Sequence, residues 1–317
     1  METSGTYNLS LTLNEILEET FDQLQIGADG ESLTGDMKNR GKKTLNIMLK
    51  AWEGQGIHLW TYEEGTLFLE VGRSEYPFGD ATVHVANTFY QTTTDADEAI
   101  GQTVISVTST ANMSVNDPIG IVVDDNTLHW STIASIVTND TVTINDALTV
   151  AASSGAVVYY YPATPAFKPV SRLATGRQAV RRRESEGYEI PINNLSREDY
   201  QNLPNKNQNG TVIQTYYSRL QPTGTMFVWN APVSAKPVLR FSYERRIQVM
   251  KDADDTFDMP EDWYEAIVFN LAQRLIPKYS CTPQRALEIK ELAKNALDIA
   301  LGFDTAGYPI TVNMRQH

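Results

Sequence analysis

The sequence predicts an α+β fold: a helical bundle built from the two chain ends, an antiparallel β region between them, and a small all-β, barrel-like domain inserted into that region. Three observations carry this reading. Near the two ends, over residues 13–52 and 260–301, apolar residues recur at spacings of three and four. Between them the period falls to two, punctuated by Gly, Pro, Asn and Asp. Residues 74–167 hold 10 acidic residues and no Lys or Arg, whereas residues 168–251 hold 14 Lys and Arg against 6 acids. Such partition of charge implies modules with different surroundings. The expected division is therefore a core of residues 1–92 and 164–302, an inserted acidic domain at 93–163, and an extended C-terminal arm at 303–317.

The first helix is expected at residues 13–24. Leu13, Ile16, Leu17, Thr20, Phe21 and Leu24 form its apolar stripe, with Glu15, Glu18, Glu19 and Asp22 between them. Gly27 and Gly30 flank a break, and a second helix over 34–52 carries Met37, Gly41, Leu45, Met48 and Trp52 on one face until Gly54 and Gly56 end it. The two make a helical hairpin. Short strands follow at 59–61, 66–71 and 82–85. The Thr- and Val-rich insertion is read as strands at 102–107, 119–123, 128–136, 141–144 and 156–161, a barrel of five or six strands. The host resumes at 172–192. Strands at 211–219 and 225–229 flank a hairpin turn at 220–224, and the alternating strand 238–249 comes next. Pro260 is read as the first residue of a helix that Pro277 stops, its missing N–H costing nothing there. The last helix, 283–301, presents Ile289, Ala293, Ala296, Leu297 and Ala300 on one face, with Gly302 as its cap. Residues 303–317 have no helical period and read as an arm that orders against a partner.

Composition narrows the function. With 317 residues, 41% of them hydrophobic, the chain can bury a core, and its formal charge of -13 disfavours tight sequence-reading of DNA. No run of 18 apolar residues is present, nor a basic-then-apolar leader, so neither a membrane span nor secretion is expected. The single Cys281 reads as an inert thiol. Residues 35–44 resemble a phosphate-binding loop but place five residues between the glycines, and Lys43 stands where Ser or Thr is needed. Residues 252–258 have the acid count of a calcium loop without its Gly or its last acid. The pairs Glu63-Glu64 and Asp124-Asp125 read as turn chemistry, because neighbours in a strand point to opposite faces. His58, His84, His129 and His317 lack metal-ligand spacing. The expectation is a protein that is not an enzyme, with no catalytic, cofactor-binding or metal-ligating residues. One dense cationic run remains: Arg181, Arg182 and Arg183, with Arg172 and Arg177 upstream. It reads either as a solvated segment paired with Glu184, Glu186 and Glu189, or as a patch meeting an acidic neighbouring subunit or DNA phosphates. The acidic remainder favours the subunit contact.

Several stretches resemble the head-to-tail adaptor family of short-tailed bacteriophages, the tail tubular protein A-like or packaged-DNA-stabilisation proteins. They are residues 44–61 (TLNIMLKAWEGQGIHLWT), residues 64–69 (EGTLFL) with 76–79 (YPFG), and residues 259–279 (MPEDWYEAIVFNLAQRLIPKY), together with the Ala-rich last helix. The likeness covers most of the chain outside 93–163. It implies a structural subunit of a dodecameric ring around the DNA channel at the head–tail junction of a virion, made in the cytoplasm of the host bacterium. It implies a portal protein and a tail nozzle protein as partners, with tail fibres on the lower surface in some members, passage of double-stranded DNA without sequence-specific binding, and no cofactor. Carried onto this chain, the portal-binding arm is 303–317 with Tyr308, Ile310, Val312 and Met314 alternating. Arg177, Arg181, Arg182 and Arg183 then serve a subunit contact or the DNA channel. The acidic insertion departs from compact relatives. A closed ring needs two unlike, complementary surfaces per subunit, which the basic and acidic segments would supply. Two alternatives stand beside this reading: a carbohydrate- or receptor-binding tail module, motivated by Trp130 and Tyr159–Tyr161, and a tail-borne peptidoglycan hydrolase, for which no acid and base pair stands out.

Overall fold

Thr12 starts the first helix. Its hydroxyl accepts from the Glu15 backbone N–H at 3.3 Å while the Glu15 carboxylate accepts from the Thr12 N–H at 2.7 Å, a reciprocal cap that satisfies two otherwise orphaned donors. The computed structural model describes residues 9–26, 32–55, 61–78, 84–138, 140–164, 167, 170–173, 180–184, 187–219, 224–279 and 281–303. Among these the helices are α1 (Leu13–Gln23), α2 (Gly35–Gln55), α3 (Arg197–Gln201), α4 (Tyr264–Leu275) and α5 (Pro283–Phe303). The early strands are β1 (Tyr62–Phe68), β2 (Glu75–Phe78), β3 (Val85–Ala86), β4 (Tyr90–Thr93), β5 (Val104–Ser106), β6 (Pro118–Val122), β7 (Leu128–Ile136), β8 (Thr141–Ile144) and β9 (Val157–Tyr160). The later ones are β10 (Val170–Leu173), β11 (Val180–Arg183), β12 (Glu189–Pro191), β13 (Asn193–Asn194), β14 (Asn209–Gly210), β15 (Gln214–Ser218), β16 (Gly224–Trp229), β17 (Ala231–Pro232) and β18 (Val238–Arg245). The molecule is thus mixed α and β with several antiparallel sheets. It divides into two units, residues 1–61 with 247–317, and residues 62–246.

In the first unit α1, α2, α4 and α5 share one core, with α4 packed against each of the other three. Ile16, Leu17 and Phe21 meet Leu45, Met48 and Trp52 of α2, Ile267, Leu271 and Leu275 of α4, and Ile289 and Ala300 of α5. These are the stripes read from the sequence. Gly41 lies where a Cβ would stand 2.6 Å from Leu17 Cδ2, so it permits close helix packing and is no phosphate loop. Pro260 does not open the α-helix itself: a 3-10 turn, Glu261–Trp263, comes first, and Trp263 stacks edge-on to Trp52 at 5.7 Å. Gly302 does not cap α5, which runs on to Phe303. Three side chains at i, i+4 and i+8 on α2 strap down the segment 247–251. Lys42 donates to the Lys251 carbonyl at 2.9 Å, Asn46 exchanges two hydrogen bonds with the Met250 backbone at 2.9 and 3.0 Å, and Lys50 donates to the Ile247 carbonyl at 2.7 Å.

The second unit holds three main sheets. One runs β12-β11-β18-β1-β3, with β10 also on β18; a second runs β13-β15-β16-β2, in which β15 and β16 form the expected hairpin, its turn at 220–223 lying outside the described residues. The third, β4-β9-β6-β7-β8-β5, belongs to the expected insertion. It curls until its end strands meet at the Thr94–Val107 bridge, around a core of Ile105, Ile119, Ile121, Ile133, Val142 and Val158. Its first strand begins at Tyr90, opposite Tyr160, so a boundary at residue 93 cuts through β4; the compositional shift lags the hydrogen bonding. The strand expected at 66–71 is instead β1, at 62–68, and Glu63 and Glu64 lie within it, not in a turn. The Asp124-Asp125 pair does sit in the β6–β7 turn, where Asp125 accepts from the Thr127 N–H at 2.9 Å and Asn126 has φ 65°.

Candidate functional site

The basic run lies on β11, and strand geometry splits it. Val180 pairs with Phe241 and Arg181 with Arg240, so alternate residues of β11 face opposite sides of the sheet. Arg182 shares the face of Leu239, Phe241 and Tyr243, is only 9% exposed, and is held by Glu184 at 2.5 Å and the Val212 carbonyl at 2.7 Å. Arg181 and Arg183 share the other face with Val238 and Arg240 of β18 and with Glu64 and Phe68 of β1.

On that second face two guanidiniums and two carboxylates close into a ring of charge. Arg181 binds Glu64 at 2.7 Å and Glu189 at 3.1 Å; Arg240 binds Glu189 at 3.2 Å and also Glu64. Glu189 is the diagonal neighbour of Arg181 and Glu64 that of Arg240, while the other two pairs reach across one intervening strand. The Arg181 hydrogen bond, with the Arg240 and Arg181 charges behind it, lowers the Glu64 pKa. Two positive and two negative groups cancel, so this stretch of the run presents no net positive field. Arg183 lies over the Phe89 ring at 5.6 Å. The run is therefore not one cationic patch. Arg177, the Arg172 side chain, and the arm residues Tyr308, Ile310, Val312 and Met314 lie outside the described residues.

Opposite the charge ring, on the core face, Glu63 accepts from Arg245 at 2.7 Å and from Tyr243 Oη at 3.0 Å, and Asn87 joins them at 3.1 Å. Burial raises the Tyr243 pKa, with the Asn87 bond opposing. The adjacent acids thus serve two faces, as the strand period requires. Elsewhere Glu70 pairs with Arg73 at 2.8 Å and approaches buried His84 at 3.3 Å, and the His84 contact foremost lowers the Glu70 pKa. In the loop at 252–258, the Asp255 carboxylate accepts from the Lys251 and Asp252 N–H groups at 2.7 and 2.9 Å, which uses it as a turn residue. Among the described residues no group of three or more His, Cys, Asp or Glu is placed to hold a metal ion. No helix among them is long and apolar enough to cross a membrane.

The aromatics that suggested a carbohydrate surface are consumed by packing. Phe68, on the same sheet face as the charge ring, meets Trp130, Tyr159 and Tyr161 at ring distances of 5.2, 5.3 and 5.8 Å. Val122, Val157 and Val238 complete this cluster, and Tyr159 donates its hydroxyl to the Lys236 carbonyl. Trp130 also lies over Gly120, where a Cβ would stand 2.9 Å from the ring. The ring faces that would stack on a sugar are turned into the protein. Sequence alone hid this, because their partner Phe68 is distant in the chain.

No protein-family model matches the chain, and no curated protein matches it. Among solved structures, it is similar over 24% of its length to the Gp54 tailspike of Acinetobacter baumannii bacteriophage AP22, in complex with A. baumannii capsular saccharide, at 16% identity and a TM-score of 0.21. The matched part spans 15% of that chain. It is also similar to VP17, a capsid protein of bacteriophage P23-77, at 12% identity and a TM-score of 0.12, over 61% of this chain and 76% of that one. Likenesses at these scores do not establish fold or function.

Proposed function

We propose that this chain is a structural subunit of a bacteriophage virion: a head-to-tail adaptor that assembles as a twelve-membered ring at the head–tail junction, between portal and tail nozzle. One observation carries the reading. Residues from both chain ends share a single helical core, while residues 62–246 form a separate β unit between them, the arrangement that the resemblance at residues 44–61 and 259–279 implies. In this reading the helical core is a bundle that forms the ring, the β unit extends toward the nozzle and fibres, and DNA passes through without sequence-specific contact. The arm at 303–317, with Tyr308, Ile310, Val312 and Met314, follows α5 and grips the portal. Glu64, Glu184 and Glu189 take up the charge of Arg181 and Arg182 within the chain, so this reading does not rest the ring contact on them.

The test is direct. Full-length chain and a chain ending at residue 302 are each mixed with portal assemblies and imaged by electron microscopy. Annuli of full-length chain on the portal, lost on truncation, are expected; annuli that survive truncation remove the arm's role, and their absence with the full chain removes the adaptor.

A further inference from the structure

We infer that the helical unit carries both halves of a head-to-tail contact between copies of this chain: a basic, apolar groove on α2 that receives an acidic, apolar stripe on α5 of the next copy. The inference rests on the ring reading for closure, and it names the surfaces that make it.

The groove is open, about 530 Å3, and lined by Lys42, Lys43, Asn46, Ile47, Lys50 and Val249. Its form follows from the strap described above: Lys42, Asn46 and Lys50 turn toward 247–251, which leaves Lys43 and Ile47 on the outer side of α2 and stands Val249 beside them. Ile47 is 56% exposed and Val249 42%. Lys50 is paired with Glu53 at 2.7 Å. Lys42 donates to a carbonyl and acts electrostatically on the Asp255 carboxylate, whereas Lys43 has no partner among the described residues. Three ammonium groups, of which Lys43 alone has no carboxylate partner among the described residues, therefore flank two exposed aliphatic side chains.

The complement is on α5. Its inner face is Ile289, Ala293, Ala296 and Ala300. Glu288, Glu291, Leu292, Asn295, Asp298 and Ile299 recur at three and four residues along a different stripe. Ile299 is 58% exposed and Leu292 39%. Arg285 binds Glu288 at 3.2 Å, whereas Glu291 and Asp298 have no ion-pair partner among the described residues. Lys290 falls beyond Leu287 on the other flank, whereas Lys294 borders the stripe, three residues from Glu291 and four from Asp298. The stripe itself thus sets three carboxylates and no cation around two exposed aliphatics, the inverse in sign of the α2 groove. The two surfaces are different patches on different helices, each packed on α4, so one copy can offer both at once. Unlike complementary patches give a heterologous contact that propagates around a ring, not an isologous pair. Apolar centres with opposite charges around them are what steer and then hold such a contact.

Exposed positions test it without disturbing the core. In a Cys281→Ser background, copies with Ile47→Cys are mixed with copies with Ile299→Cys and treated with a short bismaleimide, both free and as annuli on the portal. Linked products in the mixture, and in neither population alone, are expected. Lys43→Glu or Asp298→Lys lowers the yield by roughly tenfold, and pairing Lys43→Glu on the first population with Asp298→Lys on the second restores it. Links of 47 to 47 or 299 to 299, links within one chain, or annuli without 47–299 links overturn the inference and leave the adaptor reading intact. Linked copies that form no annulus on the portal overturn the adaptor and leave the contact standing.

Discussion

Gly65 on β1 sits opposite Phe241 on β18, and the ring fills the space a side chain would need. A Cβ there would stand 2.6 and 2.8 Å from Phe241 and 3.1 Å from Phe167. Phe241 is fully buried and stacked on Phe78 at 5.2 Å, so it has nowhere to retreat. Gly65→Ala should therefore cost about 1–3 kcal/mol of overpacking, despite the better strand propensity of Ala; an unchanged urea midpoint would count against this. The charge ring gives a second prediction. Because Arg181 and Arg240 favour the ionised form, Glu64 has a lower pKa folded than unfolded. Its stabilisation is complete above the ordinary value of 4.5 and is lost as pH falls through the lower folded value. Its side chain is 45% exposed, and solvent screening holds the effect to about 0.5–1 kcal/mol. Glu64→Gln should be less stable than the parent at pH 7, the gap closing below pH 4; a gap that stays constant from pH 7 to pH 3 would refute the ion-pair origin.

Element by element, what the sequence revealed depended on how local the cause was. The stripes of α1, α2, α4 and α5 were legible because each helix buries one face along its own length. β7 and β8, at 128–136 and 141–144, were legible to the residue, since alternation and turn residues bound them. What escaped depended on partners far away. β2 contains Pro77, which is tolerated because the strand is at the edge of its sheet, on β16. β4 takes its identity from β9, and the Glu63-Glu64 stretch of β1 is stabilised by Arg245, Arg181 and Arg240. The capped α3 was missed although Ser196 and Asp199 form a capping box, for a five-residue helix leaves too short a period to read. The same nonlocality governs the candidate site, where β11 looks like one cationic run and folds into two faces. Asn46 makes an element-level prediction: Asn46→Ala removes both bonds to the Met250 backbone, costs about 1–2 kcal/mol, and speeds hydrogen exchange at the Met250 amide. Unaltered exchange there would mean that Lys42 and Lys50 hold the strap without it.

At the scale of the β unit, Phe68 decides whether two cores behave as one. Strand alternation sends Leu67 into the core with Leu239, Phe241 and Tyr243, and Phe68 the opposite way, into the cluster with Val122, Tyr159 and Tyr161. Those last residues belong to the curled sheet, whose own core lies around Ile119, Ile133 and Val158. Phe68 is thus the largest of the host side chains, with Ala86, Ala235 and Val238, through which the host sheet and the expected insertion share buried apolar area, and it is fully buried itself. Shared area of this kind couples folding: opening one part exposes the other's aromatic wall, at a cost that makes partial unfolding unfavourable. Phe68→Ala should cost about 3–5 kcal/mol and, beyond that, should separate the melting of the curled sheet from that of the host sheet. Calorimetry can distinguish the two effects. A parent that melts the β unit in one transition, and a variant that melts it in two, support the coupling; a variant that loses stability but keeps a single transition would show that the surrounding valines and tyrosines couple the sheets without Phe68.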